Sequence, residues 1–210
     1  MEKTIDKTNI ILDNNEKIIA NILHDVKSPL YSIKMALNKN LNTQLNKDIF
    51  ETTINIINYI ENFLVNYSFK MGKFEQTISL CDIKKIINEK LESNKYIFIN
   101  KNIHIDIIQD ETEYFSNNIE IFLSSIIGNI ISNIAFHAKE NEIATIELVK
   151  RKGEIIVIFI NEYNSNTQNT NLGISFSKEL TRRTNTQLKI QKTNSTMKVI
   201  LKIPEKIKNY

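Results

Sequence analysis

The chain has 210 residues, with 27 Lys+Arg against 24 Asp+Glu and a net charge of +3. That length holds one domain or two small ones, and 41% hydrophobic with 24% charged residues describes a folded globular protein rather than a disordered tail. Four glycines and two prolines exclude collagen-like and propeller classes, and the 40 isoleucines and 29 asparagines reflect AT-rich codons rather than function. The basic residues are scattered, so no nucleic-acid footprint is expected. A single cysteine, Cys81, excludes an internal disulfide framework and any multi-cysteine zinc site. Met1–Asp6 is charged and has no apolar signal core. The most apolar stretch, Ile119 to Ala138, is broken by Ser124, Ser125, Gly128, Asn129, Ser132 and Asn133, which makes a poor membrane span. The expectation is a cytoplasmic protein without a membrane span.

In chain order, apolar residues recur at helical spacing from Ile10 to Lys39. Ile19, Val26 and Ile33 form one row of period seven, and Leu23, Leu30 and Leu37 form another. A polar connection, Asn38–Asn46, leads to a second helix over Asp48–Phe69, whose apolar face holds Ile49, Ile56, Ile60, Phe63 and Tyr67, widened by Ile57 and Leu64. Two such helices make an antiparallel hairpin, and a hairpin alone leaves a broad apolar face over. Pairing with a second copy into a dimeric four-helix bundle buries it. Residues 1–70 therefore read as a helical hairpin, 71–80 as a linker, and 81–210 as a second domain. In that domain the pattern predicts helices over Asp82–Asn94, Ile119–Ala138 and Ile174–Thr184. It predicts strands over His104–Gln109, Ala144–Lys150, Glu154–Ile160, Gln187–Lys192 and Met197–Ile203. The fold class is α+β, with the helices of an α/β sandwich on one face. Cys81 is expected as a buried thiol where the linker enters the next helix, and His104 and His137 as structural.

The chemistry-bearing string is His24-Asp25-Val26-Lys27-Ser28-Pro29-Leu30. On a helix His24 shares a face with Lys17, Ala20, Lys27, Ser28 and Tyr31, away from the Ile19/Val26/Ile33 row. Pro29 has no amide hydrogen and frees the carbonyl of Asp25, loosening the helix below His24. A carboxylate next in sequence can accept the imidazole proton and leave the other nitrogen nucleophilic.

This string on the first helix of a hairpin resembles the phosphoacceptor box of the two-component histidine kinases. Gly128-Asn129-Ile130-Ile131-Ser132-Asn133-Ile134-Ala135-Phe136-His137-Ala138 resembles the family's Asn-box helix, and Leu172-Gly173-Ile174-Ser175-Phe176-Ser177-Lys178-Glu179-Leu180 is similar to its second glycine box. The three boxes stand in the family's order over about residues 10–204. The resemblance implies a Bergerat-type ATPase sandwich behind the hairpin, a homodimer, and the receiver domain of a response regulator as partner. It implies that His24, Asp25 and Ser28 carry the phosphoryl chemistry. Asn129, Asn133, Asn161 and Gly173 are implied to bind Mg-ATP, with Asn133 on the magnesium.

The departures from the family pattern divide the function. Ile134 and Phe136 replace a small residue and a lysine. Where the first glycine box should follow Ile160, the chain reads Asn161-Glu162-Tyr163-Asn164-Ser165, without the φ > 0 freedom of glycine. Asn161 replaces an adenine-binding aspartate and can still accept a hydrogen bond. Asn171 stands for a second glycine, and the lid, Ser165–Asn171, is short. The expectation is weak Mg-ATP binding, and a protein that sets the aspartyl-phosphate level of its regulator mainly as phosphatase or phosphotransferase. An ATP-dependent autokinase and a non-catalytic docking adaptor are the alternatives.

Overall fold

The computed structural model describes residues 30–31, 33–34, 44–70, 78–163 and 172–206. His24, Asp25 and Ser28, most of the linker and the loop 164–171 lie outside the described residues. The chain divides into two compact units, Met1–Phe74 and Glu75–Tyr210.

In the first unit, helix α1 spans Gln44–Lys70, four residues longer at its start than the apolar pattern predicts. Phe50, Ile54, Ile57 and Ile60 are buried, as is Thr53, whose hydroxyl donates to the Ile49 carbonyl at 2.7 Å. Beside this face runs a second apolar row at steps of seven. Ile49, Ile56 and Phe63 are 40%, 42% and 37% exposed. The single face read from the sequence is thus split, with Ile60 on the buried side and Ile56 on the exposed one. The Tyr31 hydroxyl donates to Glu61 Oε1 at 2.8 Å, so the helical residues 30–31 meet α1 there. Burial, followed by the Glu61 carboxylate, pushes the Tyr31 phenol up to about 12.

The second unit opens with strand β1, Ser79–Asp82, which pairs antiparallel with β3, Phe115–Asn118, as a two-stranded ribbon. Between them lie helix α2, Ile83–Asn100, and strand β2, His104–Ile108. Helix α3 covers Glu120–His137, and β4, Ile143–Arg151, turns into β5, Glu154–Glu162. Helix α4, Leu172–Thr181, then precedes β6, Gln187–Lys192, and β7, Thr196–Pro204. The five-stranded sheet has the order β2-β4-β5-β7-β6. Only the β2–β4 pair is parallel.

Local chemistry explains the boundaries. Asp82 has extended backbone and its carboxylate accepts from the Lys85 amide at 3.1 Å, satisfying one orphan donor at the start of α2. Lys152 and Gly153 have φ of 54° and 76°, the left-handed pair that a two-residue hairpin needs to match strand twist. On β5 and β7 alternate residues are buried, Ile155, Val157 and Phe159 opposite Ile203, Leu201 and Val199. That period of two fixes which face of the sheet meets the helices. Helix α3 is long and apolar enough to cross a membrane by length and composition. Here its buried Phe122, Leu123, Ile126, Ile127, Ile130, Ile131 and Ile134 make it the core helix of the unit.

Four expectations are corrected. The β1–β3 ribbon is absent from the sequence reading, α2 continues to Asn100 instead of stopping at Asn94, and α4 lies two to three residues upstream of its predicted span. Cys81 sits on β1 rather than at the helix entry. It is buried, as expected, and burial pushes its thiol up. Replacing Asp82 by Ala removes the cap of α2 and is expected to cost about 1 kcal/mol. Urea unfolding followed by circular dichroism measures it, and Asp82→Asn should recover most of the loss.

Candidate functional site

Helix α3 carries the two asparagines singled out by the sequence. Asn129 and Asn133 are one turn apart and share a face. Asn129 is buried, and its amide donates to the Ser177 hydroxyl of α4 at 3.2 Å. That bond fixes α4 against α3 four residues beyond Gly173, which lies in the first turn of α4. The opposite side of α3 packs on α2. A Cβ on Gly128 would meet the Lys90 stem at 3.3 Å, so the missing side chain is what lets the lysine lie flat there. Asn94, buried on α2, donates to the Lys90 carbonyl and accepts from Ser132 at 3.4 Å.

Between α3, α4 and the inner face of β6 and β7 is a narrow cleft of about 10 Å³, lined by Ile130, Asn133, Ser177, Leu188, Ile190, Met197 and Val199. Asn161 is buried at the end of β5 and pairs with Met197, which pairs with Lys192 of β6. These three make the next cross-strand row toward the open end. The Asn161 amide nitrogen donates to the Glu162 carbonyl at 3.0 Å, an orientation that reserves its Oδ1 as an acceptor. Of the four residues singled out, Asn133 lines the cleft, Asn129 bonds to its Ser177 wall, Asn161 pairs with its Met197 wall, and Gly173 lies in the first turn of α4. Sequence reasoning missed Ser177, Met197 and Lys192. The alternation of β6 and β7 held the signal, because it places Leu188, Ile190 and Lys192 on one face with Met197, Val199 and Leu201.

The loop end of the cleft is tied by backbone. Ala138 bridges Tyr163, the Lys139 amide donates to the Glu162 carbonyl at 2.9 Å, and the Tyr163 amide donates to the Ser195 carbonyl at 2.8 Å. The Tyr163 hydroxyl donates to the Thr193 carbonyl, and Lys192 sits 5.9 Å over the Tyr163 ring. Lys101 donates to the Phe136 carbonyl at 2.6 Å, a cation on the negative end of α3. Burial first, then the charges of Lys101 and Lys192, hold His137 below its ordinary range.

Magnesium takes hard oxygen donors, few from protein and the rest from phosphate and water. Of the cleft lining, the Asn133 amide is such a donor, Ser177 is committed to Asn129, and the other five residues are apolar. No charged side chain lines the cleft among the described residues. No group of three or more His, Cys, Asp or Glu that could hold a metal occurs among the described residues either.

No protein-family model matches the sequence, and no curated protein matches it. Solved structures do. The Acinetobacter baumannii histidine kinase AdeS superposes with a TM-score of 0.60 over 87% of this chain and 98% of its own, at 10% identity. The mycobacterial sensor histidine kinase MprB gives 0.53 over 61% of this chain and 98% of its own, at 11% identity. Full-length ShkA in complex with AMPPNP gives 0.58 at 11% identity, over 90% of this chain and 46% of its own. The α+β fold of the second unit, with its mixed sheet, is that of the histidine-kinase ATPase domain.

The His137 shift has a signed consequence. Its folded value is depressed, so the unfolded chain binds the proton more readily. Stability from this group is present above the unfolded value near 6.5 and is lost as pH falls through it. Urea midpoints measured between pH 7.5 and pH 5 should fall less steeply for His137→Gln than for the wild type.

Proposed function

We propose that the chain is a signalling protein of the histidine-kinase family that lowers or relays the aspartyl phosphate of a response regulator, with ATP bound weakly or not at all. The observation that carries this reading is the run Asn161-Glu162-Tyr163-Asn164-Ser165 after β5, which has no glycine where backbone would have to approach a phosphate closely. The chain replaces the lysine of the Asn box by Phe136 and both glycines of the first glycine box by side-chain-bearing residues. The residues present fit Mg-ATP poorly. The Asn133 amide and the Asn161 oxygen are what an autokinase would still use.

The His24-Asp25-Ser28-Pro29 set needs no ATP for the alternative chemistry. An acyl phosphate is already activated, so its hydrolysis asks mainly for a positioned water. Water attacks phosphorus, the bond to the aspartyl oxygen breaks, and the regulator's carboxylate leaves with the pair. The water's proton passes to solvent or to the imidazole. Ser28, one turn from His24 on the same helical face, would hold the water in line. In relay, His24 itself attacks and the phosphoryl group stays on its nitrogen.

The reading includes a homodimer through residues 10–69. The exposed row Ile49, Ile56 and Phe63 supports it, because a helix that buries one apolar flank and leaves the next exposed has a second partner to find. Ile56→Glu should yield monomers in light scattering, whereas Ile60→Glu acts on the buried face and should cost stability as well. Dimers that persist in Ile56→Glu would remove the bundle from the reading.

The function is tested by the decay of a regulator pre-phosphorylated with acetyl phosphate. The wild type should accelerate decay without ATP, Ser28→Ala should lose most of that acceleration, and His24→Ala should keep part of it. A labelled His24 with unchanged decay in Ser28→Ala would mean relay. Calorimetry with Mg-ATP should show little heat, and micromolar binding abolished by Asn133→Ala would restore the autokinase.

A further inference from the structure

The outer face of the five-stranded sheet, turned away from the helices, is apolar where a solvated antiparallel strand should be polar. One face of such a strand normally reads polar. On β7 the outward positions are Lys198, Ile200 and Lys202, as that rule expects. On β5 they are Ile156, Ile158 and Ile160, so the central strand Glu154–Glu162 reads as buried on both sides while these three remain half-exposed. Ile200 stands beside Ile158 on β7, and Val149 beside Ile156 on β4. On the edge strand Ile108 is 51% exposed.

The charges around this patch are sorted by edge. Asp106 of β2 and Glu147 of β4 lie on one side, and Lys189 of β6 and Lys198 of β7 on the other. None of the four has an ion pair among the described residues. A two-fold axis parallel to the strands and passing over β5 lays the acidic edge of one copy across the basic edge of another, with Ile158 near its own counterpart. An axis across the strands would set acid on acid. We propose that this sheet face packs against the same face of a second copy, sheet on sheet with aligned strands.

This aligned packing is the ordinary way to cover two apolar sheet faces, and an isologous contact needs the self-complementary charge layout seen here. The contact is small. Four strand spacings of ~4.8 Å by about seven residues of ~3.3 Å give roughly 450 Å² per copy, against ~800 Å² for a standard interface. It is therefore a weak association, strengthened wherever the chains are already held together. The inference does not rest on the proposed function.

Sedimentation velocity over a concentration series, run on the full chain carrying Ile56→Glu so that the proposed helical contact is removed, should show a reversible association step that adding Ile158→Lys abolishes. Glu147→Lys should weaken the step, and Glu147→Lys combined with Lys198→Glu should restore it, a rescue that keeps the test open if Ile158→Lys fails to fold. In parallel, Ile158→Cys treated with a short bis-maleimide should link two copies, while Lys95→Cys on α2 should not, Cys81 being buried. The absence of the step in Ile56→Glu, as when a different protein covers the face, overturns the proposal. So does a step untouched by both Ile158→Lys and the charge reversal, or linkage at residue 158 no greater than at residue 95.

Discussion

The second unit depends on one constraint, that helix α3 must be buried along nearly its whole length and still carry amides at Asn129 and Asn133. Its isoleucines and phenylalanine press against sheet and neighbouring helices, and burial of such side chains is the largest favourable contribution to folding, about 25 cal/mol per Å². An amide placed among them costs more than it returns unless it is bonded. Asn129 meets this condition by donating to Ser177, which is why α4 docks where it does. Asn133, one turn on, is left at the cleft. That bond ties α4, with Gly173 in its first turn, to the helix that carries Asn133.

Much of this was legible from period and turn chemistry. The β4–β5 hairpin could be read from Lys152-Gly153, since few other pairs adopt two positive φ values at low cost. Helix α3 and the strands of the sheet were legible from apolar period. The β1–β3 ribbon was not. Its strands, Ser-Leu-Cys-Asp and Phe-Ser-Asn-Asn, are four residues long and carry no alternation, and they exist because their partners, 33 to 39 positions apart, meet in space. Helix α2 outran its predicted end because Lys95 to Asn100 is weakly amphipathic and is held by tertiary burial of Ile97 and Phe98, which outweighs propensity.

The cleft was half legible. Asn133 could be singled out from its resemblance to the Asn-box string, whereas the cleft wall it faces could not. Leu188, Ile190, Met197 and Val199 look like ordinary strand interior, and only the pairing of β6 with β7 aligns them opposite Asn133.

The replacement of glycines after β5 has a physical companion in the fold. A loop free to approach a nucleotide needs backbone without side chains and without other commitments. Here the strand continues through Glu162, and Tyr163 spends its amide on Ser195 and its hydroxyl on Thr193, while Ala138 bridges to it from the end of α3. Backbone donors engaged in this way are not available to phosphate. Each such bond stabilises the sandwich by about 1 kcal/mol. The proposed phosphoryl chemistry of the helical unit asks nothing of these ties, because hydrolysis of an acyl phosphate draws on a water, a hydroxyl and a histidine.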